Sequence, residues 1–151
     1  EVSPNYASEV DGLRIGPFDF PAMPVFARDR ERDRMGGGVA LIGMGLLRHF
    51  RAAFDLGHQS LHLWPGDGYF ALARAGVEID ERDGRAIVAR VAKGSASESA
   101  GVRAGDVVRA VNGKPAGGAR ETTAAIARSA QIARLTVERD GRFLAAPLAL
   151  R

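Results

Sequence analysis

Side chains able to do chemistry are few in this chain. Its imidazoles are His49, His58 and His62, and it has no cysteine. Thiol catalysis and disulfides are therefore excluded, although an oxidising compartment is not. His58 and His62 stand four residues apart, a separation that puts two metal ligands on one helical face. Here, however, residues 55–60 read as a turn, and Leu61, Leu63 and Pro65 alternate with His62 and Trp64 as in a half-buried strand. No acid–histidine motif accompanies them, so neither a metal ion nor any other cofactor is expected. Ser95, Ser97 and Ser99 fall in a short helical stretch with no base beside them, which argues against a serine nucleophile. Gly36-Gly37-Gly38 lacks the Lys-Ser/Thr of a phosphate loop.

The elements that carry these residues follow from periodicity and turn chemistry. Of the 151 residues 46% are apolar and 26% charged, enough for a packed core. Residues 10–19 read as short extended stretches broken at Gly12 and Gly16-Pro17. Pro17, Pro21 and Pro24 disfavour helix around Phe18, Phe20, Met23, Val25 and Phe26. The run from Arg28 to Arg34 alternates in sign with no apolar residue and reads as a solvated loop. Gly36-Gly37-Gly38 then makes a joint, and residues 39–43 a short apolar strand. Leu46, Phe50 and Phe54 recur at four-residue spacing, which predicts a helix at least at its start. Trp64-Pro65-Gly66-Asp67-Gly68 is the best linker candidate, dividing the chain into residues 1–67 and 68–151.

The second part is the more regular. Strands are expected at 76–80, 86–91, 107–111, 132–138 and 143–150. Turns are signalled by Asp83-Gly84, Asn112-Gly113 and Asp140-Gly141, and helices are expected at 95–100 and 119–129. Net charge is +3 overall. The first part carries seven Arg against nine acids, and the second twelve Arg and two Lys against nine acids. A basic second part would suit anionic partners such as peptide carboxylates, but nineteen Arg against two Lys read more readily as a coding bias. No basic helix or aromatic stacking strand accompanies the charge, so nucleic-acid binding is not expected. No apolar run is long enough to span a membrane, and Glu1-Val2-Ser3-Pro4-Asn5 has neither the basic start nor the apolar middle of a signal peptide. The chain is accordingly read as mature, trimmed or excised.

Gly94-Ser95-Ala96-Ser97, Ala100-Gly101-Val102, Gly105-Asp106-Val107-Val108, Val111-Asn112-Gly113 and Arg139-Asp140-Gly141 follow one another in an order that resembles the PDZ domains of bacterial proteases. Ala96 stands where proline is usual in that family. The resemblance implies a mainly β fold with short helices (α+β): a PDZ-type, partly open β-barrel or sandwich with two helices. It also implies capture of a protein or peptide tail by strand addition between an edge strand and a helix. The carboxylate loop would be Ala73-Arg74-Ala75-Gly76, with Arg74 adding charge. The strand would begin at Val77, with Val77 and Ile79 facing the pocket, and Thr123, Ile126 and Ala127 would form the helical wall. The small Ala-Arg-Ala-Gly loop leaves three ligands open: free C-termini, internal segments, or the chain's own residues. Val77, Ile79 and Ile126 also fit a purely structural core role.

In the first part, Leu41-Ile42-Gly43-Met44-Gly45-Leu46-Leu47-Arg48-His49-Phe50, then Phe54-Asp55, then Leu61-His62-Leu63, is similar to the C-terminal part of retropepsin-like aspartic proteases. Gly45 replaces the Asn or Asp common there. Such enzymes use two aspartates sharing a proton, each within Asp-Thr/Ser-Gly. Asp11-Gly12, Asp55-Leu56-Gly57, Asp83-Gly84 and Asp140-Gly141 do not match, so no catalytic residue is expected in this chain and it should be inactive alone. The two resemblances together imply a partial peptidase segment followed by a PDZ domain that holds substrate tails, in a bacterial envelope, periplasmic or secreted setting. The rival is a non-catalytic adaptor that recruits a partner. A half-domain must cover its apolar face, against the PDZ part, against its missing half, or as a homodimer.

Overall fold

The computed structural model describes residues 5–10, 12–28 and 42–150. The charge run beyond Arg28, the glycine joint at 36–38 and most of the strand expected at 39–43 lie outside the described residues. The second part forms one sheet from β7 (Val77–Arg82), β8 (Arg85–Val91), β9 (Val107–Val111), β11 (Ile132–Arg139) and β12 (Arg142–Ala149), in the order β12-β11-β9-β8-β7. A two-residue β10 (Lys114–Pro115) pairs with β9. The mainly β class with short helices is what the chain adopts.

The turns form where the sequence asks for them. Asp83, Asn112 and Asp140 have φ of 52°, 52° and 51°, and each precedes a glycine that also has positive φ, the geometry a two-residue hairpin turn requires. Alternation then puts Ala86 and Val88, Leu135 and Val137, and Ala146 and Leu148 in one core, which Val108 and Val111 join across an irregularity in the β9–β11 pairing. Helix α4 (Ala119–Ala127) seals it with Ile126, which is fully buried. Helix α3 (Ala96–Ser99) begins at Ser95, whose Oγ accepts the Glu98 N–H at 3.2 Å, a cap for one unpaired donor.

The first part is built of two-stranded pieces. β1 (Asn5–Val10) pairs with β4 (Met23–Arg28), β2 (Arg14–Ile15) with β3 (Phe18–Asp19), and β5 (Phe50–Asp55) with β6 (Ser60–Pro65). Phe18, Phe20, Phe50 and Tyr69 meet edge-on or tilted, with ring centroids 4.9–5.9 Å apart, the favoured aromatic geometry.

Three expectations need correction. The helix expected from Leu46 is only α1 (Met44–Leu47), and Phe50 and Phe54 lie on strand β5. A four-residue spacing puts residues on one face of a strand as well as of a helix, so it could not separate the two. Phe50 joins the aromatic cluster, while Phe54 is 64% exposed. The expected linker is no linker: β6 ends at Pro65, the Gly66 N–H donates to the His49 carbonyl at 3.0 Å, and α2 (Asp67–Phe70) starts at once. Finally, α2 continues as a π-helical turn, Ala71–Ala75, over residues read as a loop. This third helical segment of the second part serves two cores. Ala71 and Ala75 pack under the sheet, while Leu72 joins Phe20 and Met23, with Tyr69 packed against them. The first part's aromatic face is thus covered from within the chain.

Candidate functional site

β7 is the edge of the sheet, paired on one side only, with β8. Among the described residues no strand occupies its other side. At about 3.3 Å per residue, its six residues present about 20 Å of strand edge. The opposite edge, β12, contains Pro147, which has no N–H to offer an added strand. Helix α4 packs beside β7 and the π-helical turn. Its N-cap, Gly118, supplies no side-chain cap, and the Glu81 carboxylate reaches over from β7 to accept the Ala119 N–H at 3.1 Å. A carboxylate is favourable at a helix N-terminus.

The residues expected to form the site do gather along this edge, with differing exposure. Val77 and Ile126 are buried core residues, Ala75 and Ala127 join them, and Ile79 is half-buried against the same core. Thr123 is half-buried on α4, while its neighbour Thr122 is fully buried. The wall is therefore mostly filled core, and Ile79 and Thr123 are its accessible part. The stretch 73–76 is a helical turn. Gly76 ends it at φ 70°, ψ 32°, with its N–H donating to the Leu72 carbonyl at 2.8 Å. A Cβ on Gly76 would overlap the Ser95 side chain, so the close approach this glycine permits is to α3. The Arg74 guanidinium donates to the carbonyls of Ala127 and Ser129, both at 3.0 Å, and to that of Ala130. It ties the end of α4 to the π-helical turn, as a cation does well at a helix C-terminus.

The other face of β7 holds a charged cluster that the sequence reading missed. The Glu78 carboxylate meets His49 Nε2 at 2.7 Å and accepts from Arg90 Nε at 2.9 Å, with Arg48 at 3.6 Å. Arg90 also donates to the Ala22 carbonyl at 2.7 Å and contacts Met23 Sδ at 3.0 Å, while Arg48 donates to Asp80 at 3.4 Å. The cluster thereby joins the first part to the sheet. Burial pushes the Glu78 carboxyl up. The hydrogen bonds and charges of His49 and Arg90 outweigh it and hold the pKa at about 2. Of the acids on β7, Glu78 and Asp80 are thus paired with bases, while Glu81 reaches toward α4.

The remaining reactive types are engaged in structure. His58 Nδ1 lies 2.8 Å from Asp55, and His62 Nε2 lies 3.1 Å from Ser60 Oγ. Among the described residues no three His, Asp or Glu side chains converge as metal ligands, and no helix is long and apolar enough to cross a membrane. Asp106, from the Gly-Asp motif, is buried. It binds Arg139 through both oxygens at 2.7 Å and accepts the Arg103 N–H at 2.8 Å. Burial raises its pKa, and these donors more than reverse the effect. Asp106 locks the turn before β9 onto β11. A depression of about 520 Å³ lies between the end of β8 (Ala89, Arg90, Val91) and residues 101–104.

No curated protein matches the chain. Among solved structures, the HtrA3 PDZ domain bound to a phage-derived ligand (FGRWV) is 23% identical, with a TM-score of 0.46, over 51% of this chain and 83% of that one. The PDZ domain family model matches residues 87–139, from within β8 to the last residue of β11. A PDZ domain is therefore found in this stretch of the chain, with β7 lying just ahead of it.

Proposed function

We propose that the chain binds extended peptide segments by adding them as a further strand to β7, alongside α4. The observation that carries this is the free edge of β7, set against an opposite edge interrupted by Pro147. Backbone pairing along β7 supplies affinity, and Ile79 and Thr123 offer the accessible side-chain contacts. The family match supports the reading, since PDZ domains are peptide-binding modules. Peptides selected from a random decapeptide pool should perturb backbone amide NMR signals of residues 77–82 and 119–127. Perturbation confined to β12, or no saturable binding, would sink the reading.

We further propose that residues 1–67 are the C-terminal remainder of a retropepsin-like peptidase domain, for which the PDZ domain holds substrates. The resemblance of residues 41–63 in sequence supports this. Phe54 and Leu56, 64% and 86% exposed at the hairpin tip, suit contact with a second copy. The coding region upstream of Glu1 decides between this and the adaptor reading. The peptidase reading requires an Asp-Thr/Ser-Gly there, and its absence leaves the adaptor.

A further inference from the structure

We infer that the β7 edge takes an internal, extended segment carrying lysine or arginine, and that binding does not depend on a free C-terminal carboxylate. This rests on the strand addition proposed above and specifies its ligand.

A terminal carboxylate at the head of β7 would need several backbone N–H groups turned toward it, or an available cation. Here the Gly76 N–H and the Arg74 guanidinium are already engaged. The chain at this end is the π-helical turn Ala71–Ala75, closed by Gly76, whose N–H is bonded to the Leu72 carbonyl. Ala75, Gly76 and Val77 are all buried, so an incoming anion has little access to their backbone. Arg74, the cation at this end, is bound to three carbonyl oxygens at the end of α4. A carboxylate placed there would also face the negative end of the helix dipole.

At the other end of the groove the charge favours a basic side chain. Glu81 reaches the first N–H of α4, and the Glu121 carboxylate lies beside the same Gly118. A lysine or arginine of the added strand near Glu81 and Glu121 complements these two carboxylates.

The test uses the whole chain and two random decapeptide display pools, one ending in a free carboxylate and one held between Gly-Ser spacers. Selected peptides are then synthesised as the free acid, as the C-terminal amide and with a Gly-Ser extension, and titrated. The expected result is affinity within about threefold across the three forms, with binders enriched in lysine and arginine. Loss of more than about tenfold on amidation (about 1.4 kcal/mol), or enrichment in acidic residues, overturns the inference while leaving strand addition intact. No binder from either pool overturns strand addition itself, and this inference with it. Arg74→Gln adds a second readout at a temperature where circular dichroism shows the variant folded. Acid and amide forms should bind it equally, and selective loss of the acid form would overturn the inference. If the variant does not fold, the wild-type comparison of acid and amide decides.

Discussion

Glu78 shows how much one carboxylate decides in this chain. It lies 10% exposed between His49 and Arg90, and removing one member of such a pair leaves a buried charge uncompensated, at a cost of about 3–5 kcal/mol. Its pKa is about 2 when folded, against an ordinary value of 4.5. A depressed carboxyl contributes its full stability above the unfolded pKa and loses it as pH falls through the folded one. The Glu78 contribution, about 3 kcal/mol by that shift, should therefore be complete above pH 4.5 and fade toward pH 2. Urea unfolding of the wild type and of Glu78→Gln should show a wide gap at pH 7 that closes over this window. A gap that stays constant down to pH 2.5 would contradict the assignment. Asp106 offers a control far from the interface. Asp106→Asn breaks the paired contact with Arg139 and should cost about 3 kcal/mol, lowering the urea midpoints read by Trp64 fluorescence and by circular dichroism together. None of the Glu78 cluster was legible in the sequence. Alternation marks Glu78 only as a polar position on β7, and its partner His49 stands 29 residues earlier. The Gly-Asp motif was legible as a motif, but its role as a clasp on Arg139 needed the fold.

At the scale of elements, the strands of the second part were legible because turn chemistry fixed their ends. Asp-Gly and Asn-Gly pairs take positive φ at low cost, and the alternating apolar runs between them admit one register. Segment 67–75 was misread for an identifiable reason. Ala71, Leu72, Ala73, Arg74 and Ala75 are all good helix formers, Asp67 stands in the first turn and Gly76 at the end. Those local signals give a helix, and the family resemblance put a carboxylate loop in their place. Residues 44–54 failed differently, through a spacing that suits helix and strand equally. The helical segment's C-terminal stop gives a direct test. Gly76 needs positive φ and also abuts Ser95. Gly76→Ala should cost about 2–5 kcal/mol through left-handed strain and overlap together. A compatible glycine-to-alanine change would instead stabilise slightly, so a melting temperature at or above wild type would show that neither constraint holds.

For the whole molecule the question is whether the two parts behave as one. The sequence suggested a flexible join at 64–68, yet the segment beyond it lends Leu72 to the aromatic cluster and Ala71 and Ala75 to the sheet core. Leu72 is fully buried. A shared helical segment and the Glu78 cluster both oppose independent unfolding, because either part could detach only by exposing residues of the other. The single tryptophan, Trp64 on β6, reports on the first part, while far-UV circular dichroism is dominated by the larger sheet of the second. The two probes should give coincident transitions in the wild type. Leu72→Ala should lower both midpoints together, by about 2–5 kcal/mol, since the cavity lies in the segment both cores use. If Trp64 fluorescence shifts alone and the dichroism transition stays in place, the helical segment belongs energetically to the sheet and the first part is merely docked on it.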